Sequence, residues 1–120
     1  LDILIRERAI YKPDLVLSPS LNDIHQDHAV VAQESLRAFK NISILGYEMP
    51  WNNIEFQTTV FVKLKPEDIE NKVCALKCYA SQSHRTYFDD VFIRSLAKVR
   101  GVQIQSEFAE SYEVMRLVIN

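Results

Sequence analysis

LVLSPSLNDIHQDHAVVAQESLRAFK, residues 15–40, runs from an apolar segment through a polar loop into an amphipathic one. The run LVLSP, 15–19, is short and apolar, which predicts a buried parallel strand. Lys12-Pro13-Asp14 sets its start, because proline lacks an amide proton and restrains the residue before it. The loop SLNDIHQ follows, and then a helix, HAVVAQESLRAFK, with Val30, Val31, Ser35, Leu36 and Phe39 on its inner face and Asp27 as N-cap. A strand that passes through a polar loop into a helix is the unit of an open α/β sheet. Such sheets bind ligands beyond the carboxyl ends of their strands, where this loop lies.

Upstream, LDILIRERAIYKPDLVL carries Leu1, Leu4, Ile5 and Ala9 at helical spacing, a helix already under way with no cap before it. The expectation is the C-terminal part of a longer protein. Downstream, ISILGYEMP (42–50) reads as a strand closed by Pro50, and the β-branched, aromatic FQTTVFVKL (56–64) as another. KPEDIENKVCALKCYASQ (65–82) opens with proline and acids, as helices do, and places Ile69, Val73, Leu76 and Ala80 on one face. A last helix, FDDVFIRSLAKVR (88–100), should stop at Gly101 in a left-handed cap, and YEVMRLV (112–118) should close the sheet. The element order predicts an α/β domain with a mostly parallel sheet covered on both faces.

Composition narrows the function classes. At 120 residues the chain is one domain or part of one, with 48% hydrophobic and 25% charged residues, an ordinary globular balance. The net charge of -2 is spread over interleaved acids and bases, with no basic stripe for nucleic acid or an anionic membrane. No apolar run is long enough for a membrane span and nothing at the N-terminus reads as a signal peptide. The cysteine usage is what points to a cytoplasmic protein. Cys74 and Cys78, four apart without a C-x-x-C spacing, are expected to be reduced core thiols. Two glycines are too few for a glycine-rich phosphate loop.

The loop holds two of the three histidines in the chain. His25 and His28 are three apart, so both rings can project to one side at a helix start. Neutral imidazole is a common zinc ligand, and Asp27 or Asp23 can orient a ring by accepting its other N–H. A carboxylate beside an imidazole also suits a proton donor. The plainer account is a polar loop with a helix cap. Spacing leaves both open, and two histidines alone do not make a catalytic zinc site.

KPDLVLSPSLNDIHQDHAVVAQESLRAF resembles the second signature of the LmbE-like, or PIG-L, superfamily of zinc-dependent N-deacetylases, in which a strand runs into D-x-H-x-D-H and a helix. The likeness continues, in order, through ILGYEMPW, KVCALKCYASQ and RGVQIQSEFAESYEVMRLV. The resemblance implies a Rossmann-like three-layer sandwich, with residues 1–120 as the C-terminal portion of one deacetylase domain. It implies a hydrolase that removes an acetyl group from an N-acetylated amino sugar, commonly an N-acetylglucosamine conjugate. His28 matches the zinc-binding histidine of the signature, His25 the acid or electrostatic stabiliser opposite the metal, and Asp27 the aspartate that tunes His25. The family's first signature, A-H-P-D-D-E, supplies the other two Zn2+ ligands and the general base. It does not occur in these 120 residues. The N-terminal half of the same protein is therefore an expected partner, and the isolated chain is expected to be inactive. Relatives are often multimeric, which leaves a homo-oligomer open. Phe108 stands where many relatives carry a tyrosine whose hydroxyl helps hold the oxyanion.

Asp23, Trp51, Gln82 and Arg85 complete the candidate site as substrate contacts. Trp51 suits the apolar side of a sugar ring and suits equally a packing position in a loop. Gln82 and Arg85, in YASQSHR, have a charged helix end as their plainer account. The competing reading of the whole is a non-catalytic α/β module that binds a sugar or a partner, with an incomplete metal site.

Overall fold

The computed structural model describes residues 1–79, 84–85 and 89–120. Its elements run α1 (Asp2–Tyr11), β1 (Leu15–Pro19), α2 (Gln26–Ala38), β2 (Ser43–Tyr47), β3 (Val60–Leu64), α3 (Pro66–Leu76), α4 (Asp90–Gln103) and β4 (Phe108–Arg116). The class is α/β, with one four-stranded sheet in the order β1-β2-β4-β3. Two compact units divide the chain, residues 1–60 with 112–120 in the first and 61–111 in the second.

In the first unit β1 and β2 pair in parallel, in register from Leu15↔Ser43 to Pro19↔Tyr47. On the other side of β2, β4 runs antiparallel, with Gly46 opposite Glu113 and an irregularity between Ile44 and Leu45. The sheet is mixed and mostly antiparallel, which corrects the expectation of a mostly parallel one. Its outer strand also departs from the reading of a strand buried on both faces, since Leu15 and Leu17 are half-exposed. The core is Ala38, Phe39 and Ile44, packed by Leu4, Val16, Leu36, Ile42 and Met115. α2 turns Ala32, Ser35 and Ala38 inward, and Ser35, Leu36 and Phe39 face the core as the sequence reads, while Val30 and Val31 of that predicted face stay exposed. Small residues let the helix lie close to the strands. The last carbonyls of α2, which lack intrahelical donors, receive two arginines: Arg8 donates to Ala38, and Arg116 to Leu36 at 3.0 Å and Phe39 at 3.1 Å.

In the second unit Ile69 and Val73 of α3 meet Ile93 and Ala97 of α4, with Leu64, Leu76, Phe92 and Phe108 against them. Pro66 opens α3, and Asp68 accepts the Lys65 N–H at 2.8 Å, half of a capping box. Arg94 joins the helices, bonding Asp90 on its own helix and Glu70 of α3 at 2.7 Å. Gly101 does not end α4 as a left-handed cap; the helix continues to Gln103, and Gln105 (φ 56) takes that conformation. The Ser106 N–H returns to the Gly101 carbonyl at 2.9 Å and the Gln105 N–H to Val102 at 3.3 Å, a Schellman closure. Gly101 is needed for space: a Cβ there would sit 2.7 Å from the carbonyl oxygens of Ser106 and Glu107. Cys74 and Cys78 are free and exposed, not core thiols.

Candidate active site

The loop between β1 and α2 is built by short-range hydrogen bonds that an N-terminal helix boundary invites. Ser20 starts it: its carbonyl accepts the Asp23 N–H at 3.2 Å and its hydroxyl the Asn22 N–H at 3.0 Å. Asp23 then uses both carboxylate oxygens. Oδ1 accepts the His25 N–H at 2.8 Å, and Oδ2 lies 2.8 Å from His28 Nδ1, with the Asp23 side chain fully buried and that of His28 28% exposed. A carboxylate only accepts, so His28 donates through Nδ1–H, which in the neutral ring leaves Nε2 as the nitrogen with the free lone pair. Both Asp23 oxygens thus accept bonds from within the loop.

His25, not Asp27, is the N-cap of α2. Its Nδ1 accepts the Asp27 backbone N–H at 3.2 Å. Asp27 thus meets the ring through its main chain rather than its carboxylate, and the His25 proton belongs on Nε2. The two rings stack with centroids 4.4 Å apart and planes 26° from parallel. One imidazole offers a lone pair and its neighbour an N–H.

Against this loop lies the segment after β2. The Ile24 N–H donates to the Asn52 carbonyl at 3.0 Å, and Asp23 and Asn53 form an isolated bridge. Asn53 in turn accepts the Met49 N–H at 2.6 Å. Trp51, 38% exposed, sits at the turn that makes these contacts.

No family model matches the sequence. Over 60 residues the chain is 43% identical to an uncharacterized deacetylase, YaiS, of Escherichia coli strain K12, an alignment covering 49% of this chain and 32% of that protein. Among solved structures it is similar to the zinc inhibited form of teicoplanin deacetylase Orf2, with a TM-score of 0.73 and 20% identity over 92% of this chain and 48% of that one. The deacetylase relative is in line with the resemblance of the histidine loop to the PIG-L superfamily, and the structural match shows a shared fold. The chain spans about a third of the length of the first relative and about half of the second.

Within the histidine loop the structure joins His25, His28, Asp23 and Asp27, with the Trp51 turn beside them. Gln82 lies outside the described residues. Arg85 is exposed in the second unit. Phe108 packs on the core of that unit, with Lys98 Nζ 5.9 Å from its ring centroid. Among the described residues no group of three or more His, Cys, Asp or Glu side chains stands ready for a metal ion. None of the described helices is long and apolar enough to cross a membrane.

Sequence reasoning missed the support beneath the loop. Glu113, in the middle of β4, is buried, with Oε1 accepting from the Ser20 hydroxyl and Oε2 from the Gln57 N–H at 3.1 Å. Gly46 makes room for it: a Cβ there would meet Ser20 Cα at 3.2 Å and Glu113 Cγ at 3.3 Å. Tyr47, at the end of β2, has its hydroxyl pKa raised by burial and then by the charge of Asp23. An inward acid on an alternating strand was the available signal for Glu113.

Proposed function

We propose that this chain is part of a metal-dependent N-deacetylase acting on an N-acetylated amino sugar or its conjugate, and that it supplies one Zn2+ ligand and one proton-donating histidine. The observation that carries the reading is the Asp23–His28 pair at 2.8 Å with His25 stacked on it, beyond the carboxyl end of β1. The deacetylase relatives support the activity; the fold likeness supports a Rossmann-like three-layer architecture.

The donor set fits the metal on the present side. An imidazole whose Nδ1–H is held by a carboxylate is oriented and more basic at Nε2, as metal-binding histidines commonly are. His28 would hold the ion through that nitrogen. When bound, zinc supplies Lewis-acid polarisation of the scissile carbonyl. The other steps belong to the protein. His25 Nε2–H, 4.4 Å away ring to ring, is the hydrogen-bond donor toward the developing oxyanion. To protonate the departing amine the ring must first take up a second proton at Nδ1, releasing the Asp27 N–H, and it returns to the neutral form on giving up the Nε2 proton. Its N-cap bond from Asp27 fixes which nitrogen holds the proton. Asp27 stabilises the first turn of α2, where its charge meets the helix dipole. Trp51 is the aromatic surface for the sugar ring.

The remaining zinc ligands and the general base are proposed to come from an N-terminal half of the same protein. The half-exposed Leu15 and Leu17 on the outer strand and the exposed Val30 and Val31 of α2 are the surface it would cover. The test is an amine-release assay across N-acetylated sugars with the intact, zinc-loaded protein. Release that depends on His28 supports the reading. Sugar binding without release, in zinc-replete protein, favours the non-catalytic module instead.

A further inference from the structure

We infer that Glu113 is a positioning residue for the histidine pair, acting through Ser20 and Gln57. The inference rests on the reading of His28 as the metal-facing ring. Glu113 is 8% exposed, and its two hydrogen bonds come from neutral donors, the Ser20 hydroxyl and the Gln57 N–H. A buried carboxylate without a cation costs several kcal/mol, roughly, and is a poor means of holding a sheet together. Its two bonds go instead to the two segments that frame the site.

The first branch is the loop. Because the Ser20 hydroxyl donates to Glu113, its lone pair faces the Asn22 N–H, and the Ser20 carbonyl takes the Asp23 N–H. That turn sets where the Asp23 carboxylate points, and Asp23 in turn holds the His28 ring and the His25 N–H. The second branch is Gln57, at the far end of the segment whose Asn52 carbonyl holds Ile24, between Asp23 and His25. Gly46, opposite Glu113 in the ladder, admits the carboxylate and the Ser20 main chain together. One acid on β4 thereby ties together the histidine loop and the segment that bonds it at Ile24, through Ser20 and Gln57.

The experiment is side-chain 15N NMR of the histidines in the intact protein, first without metal and then with zinc alone. The variants are Glu113→Gln, Glu113→Ala and Ser20→Ala, with fold checked by circular dichroism. The wild type should show His28 protonated at Nδ1 and bare at Nε2. In folded Ser20→Ala and Glu113→Ala that signature should give way to a mixture of tautomers, and zinc retention should fall about tenfold, the effect usual for a lost outer partner. Glu113→Gln, which keeps shape and one acceptor, should recover much of the signature. Should Glu113→Ala not fold, Ser20→Ala decides, since it removes one atom. A wild-type His28 signature in folded Ser20→Ala overturns the inference. Wild-type His28 that keeps its tautomer but ignores zinc instead sinks the metal reading, while the tautomer changes still judge Glu113.

Discussion

Asp23 places a fully buried carboxylate oxygen 2.8 Å from Nδ1 of the partly exposed His28. The burial of one partner and the openness of the other give the pair its direction. The acid faces the loop interior, and the ring stays partly open to solvent. Replacing Asp23 by Asn keeps an oxygen acceptor but removes the charge that makes Nε2 basic. Asp23→Asn should therefore weaken zinc retention by roughly 10–100-fold with little change in fold, read by competition with a chelator. Unchanged retention would show that Asp23 does not tune the ring.

Tyr47 reports on the same carboxylate from another side. Burial, and then the Asp23 charge, raise its pKa above the ordinary 10.0. Because the folded value lies above the unfolded one, its contribution to stability is intact below about pH 10 and is lost as pH rises through the folded value. The absorbance difference between wild type and Tyr47→Phe should place the tyrosinate midpoint above 10.0, and Asp23→Asn should lower it only part of the way, since burial is the larger cause. A midpoint at the ordinary value contradicts this environment.

Gly101 gives a test whose sign is opposite to the usual rule. Inside a helix, Gly→Ala ordinarily stabilises by about 1 kcal/mol. Here the added Cβ would stand 2.7 Å from the Ser106 and Glu107 carbonyl oxygens, which are main-chain atoms fixed by the Schellman closure. Gly101→Ala should cost about 1–3 kcal/mol in urea unfolding. A gain in stability would show that the turn after α4 yields easily.

Local signals were readable where chemistry is local. LVLSP marks β1 to the residue because Pro13 breaks the chain just before it, and Pro66 marks the start of α3. The start of α2 shifted by two residues because a histidine, whose Nδ1 can accept, took the capping place assigned to Asp27. The direction of β4 was not readable. Parallel and antiparallel partners present the same alternation, and the choice rests on how the chain returns after Gln105. The inner face of α2 misled for a different reason: bulky Val30 and Val31 outweigh Ala32 in an apolar count, while close helix–strand packing favours the smaller residue. Glu113 hid in plain alternation, since pattern reading ranks an acid as solvent-facing. The histidine loop was legible as a cluster. Which aspartate serves which ring depended on turns that only coordinates display.

The most direct test of the central claim is metal content of the intact protein as purified and after zinc loading, compared between His28→Ala and His25→Ala. The account predicts that His28→Ala loses zinc and amine release together, while His25→Ala keeps zinc and loses release. Equal zinc loss in both variants, or full zinc content in His28→Ala, would contradict it.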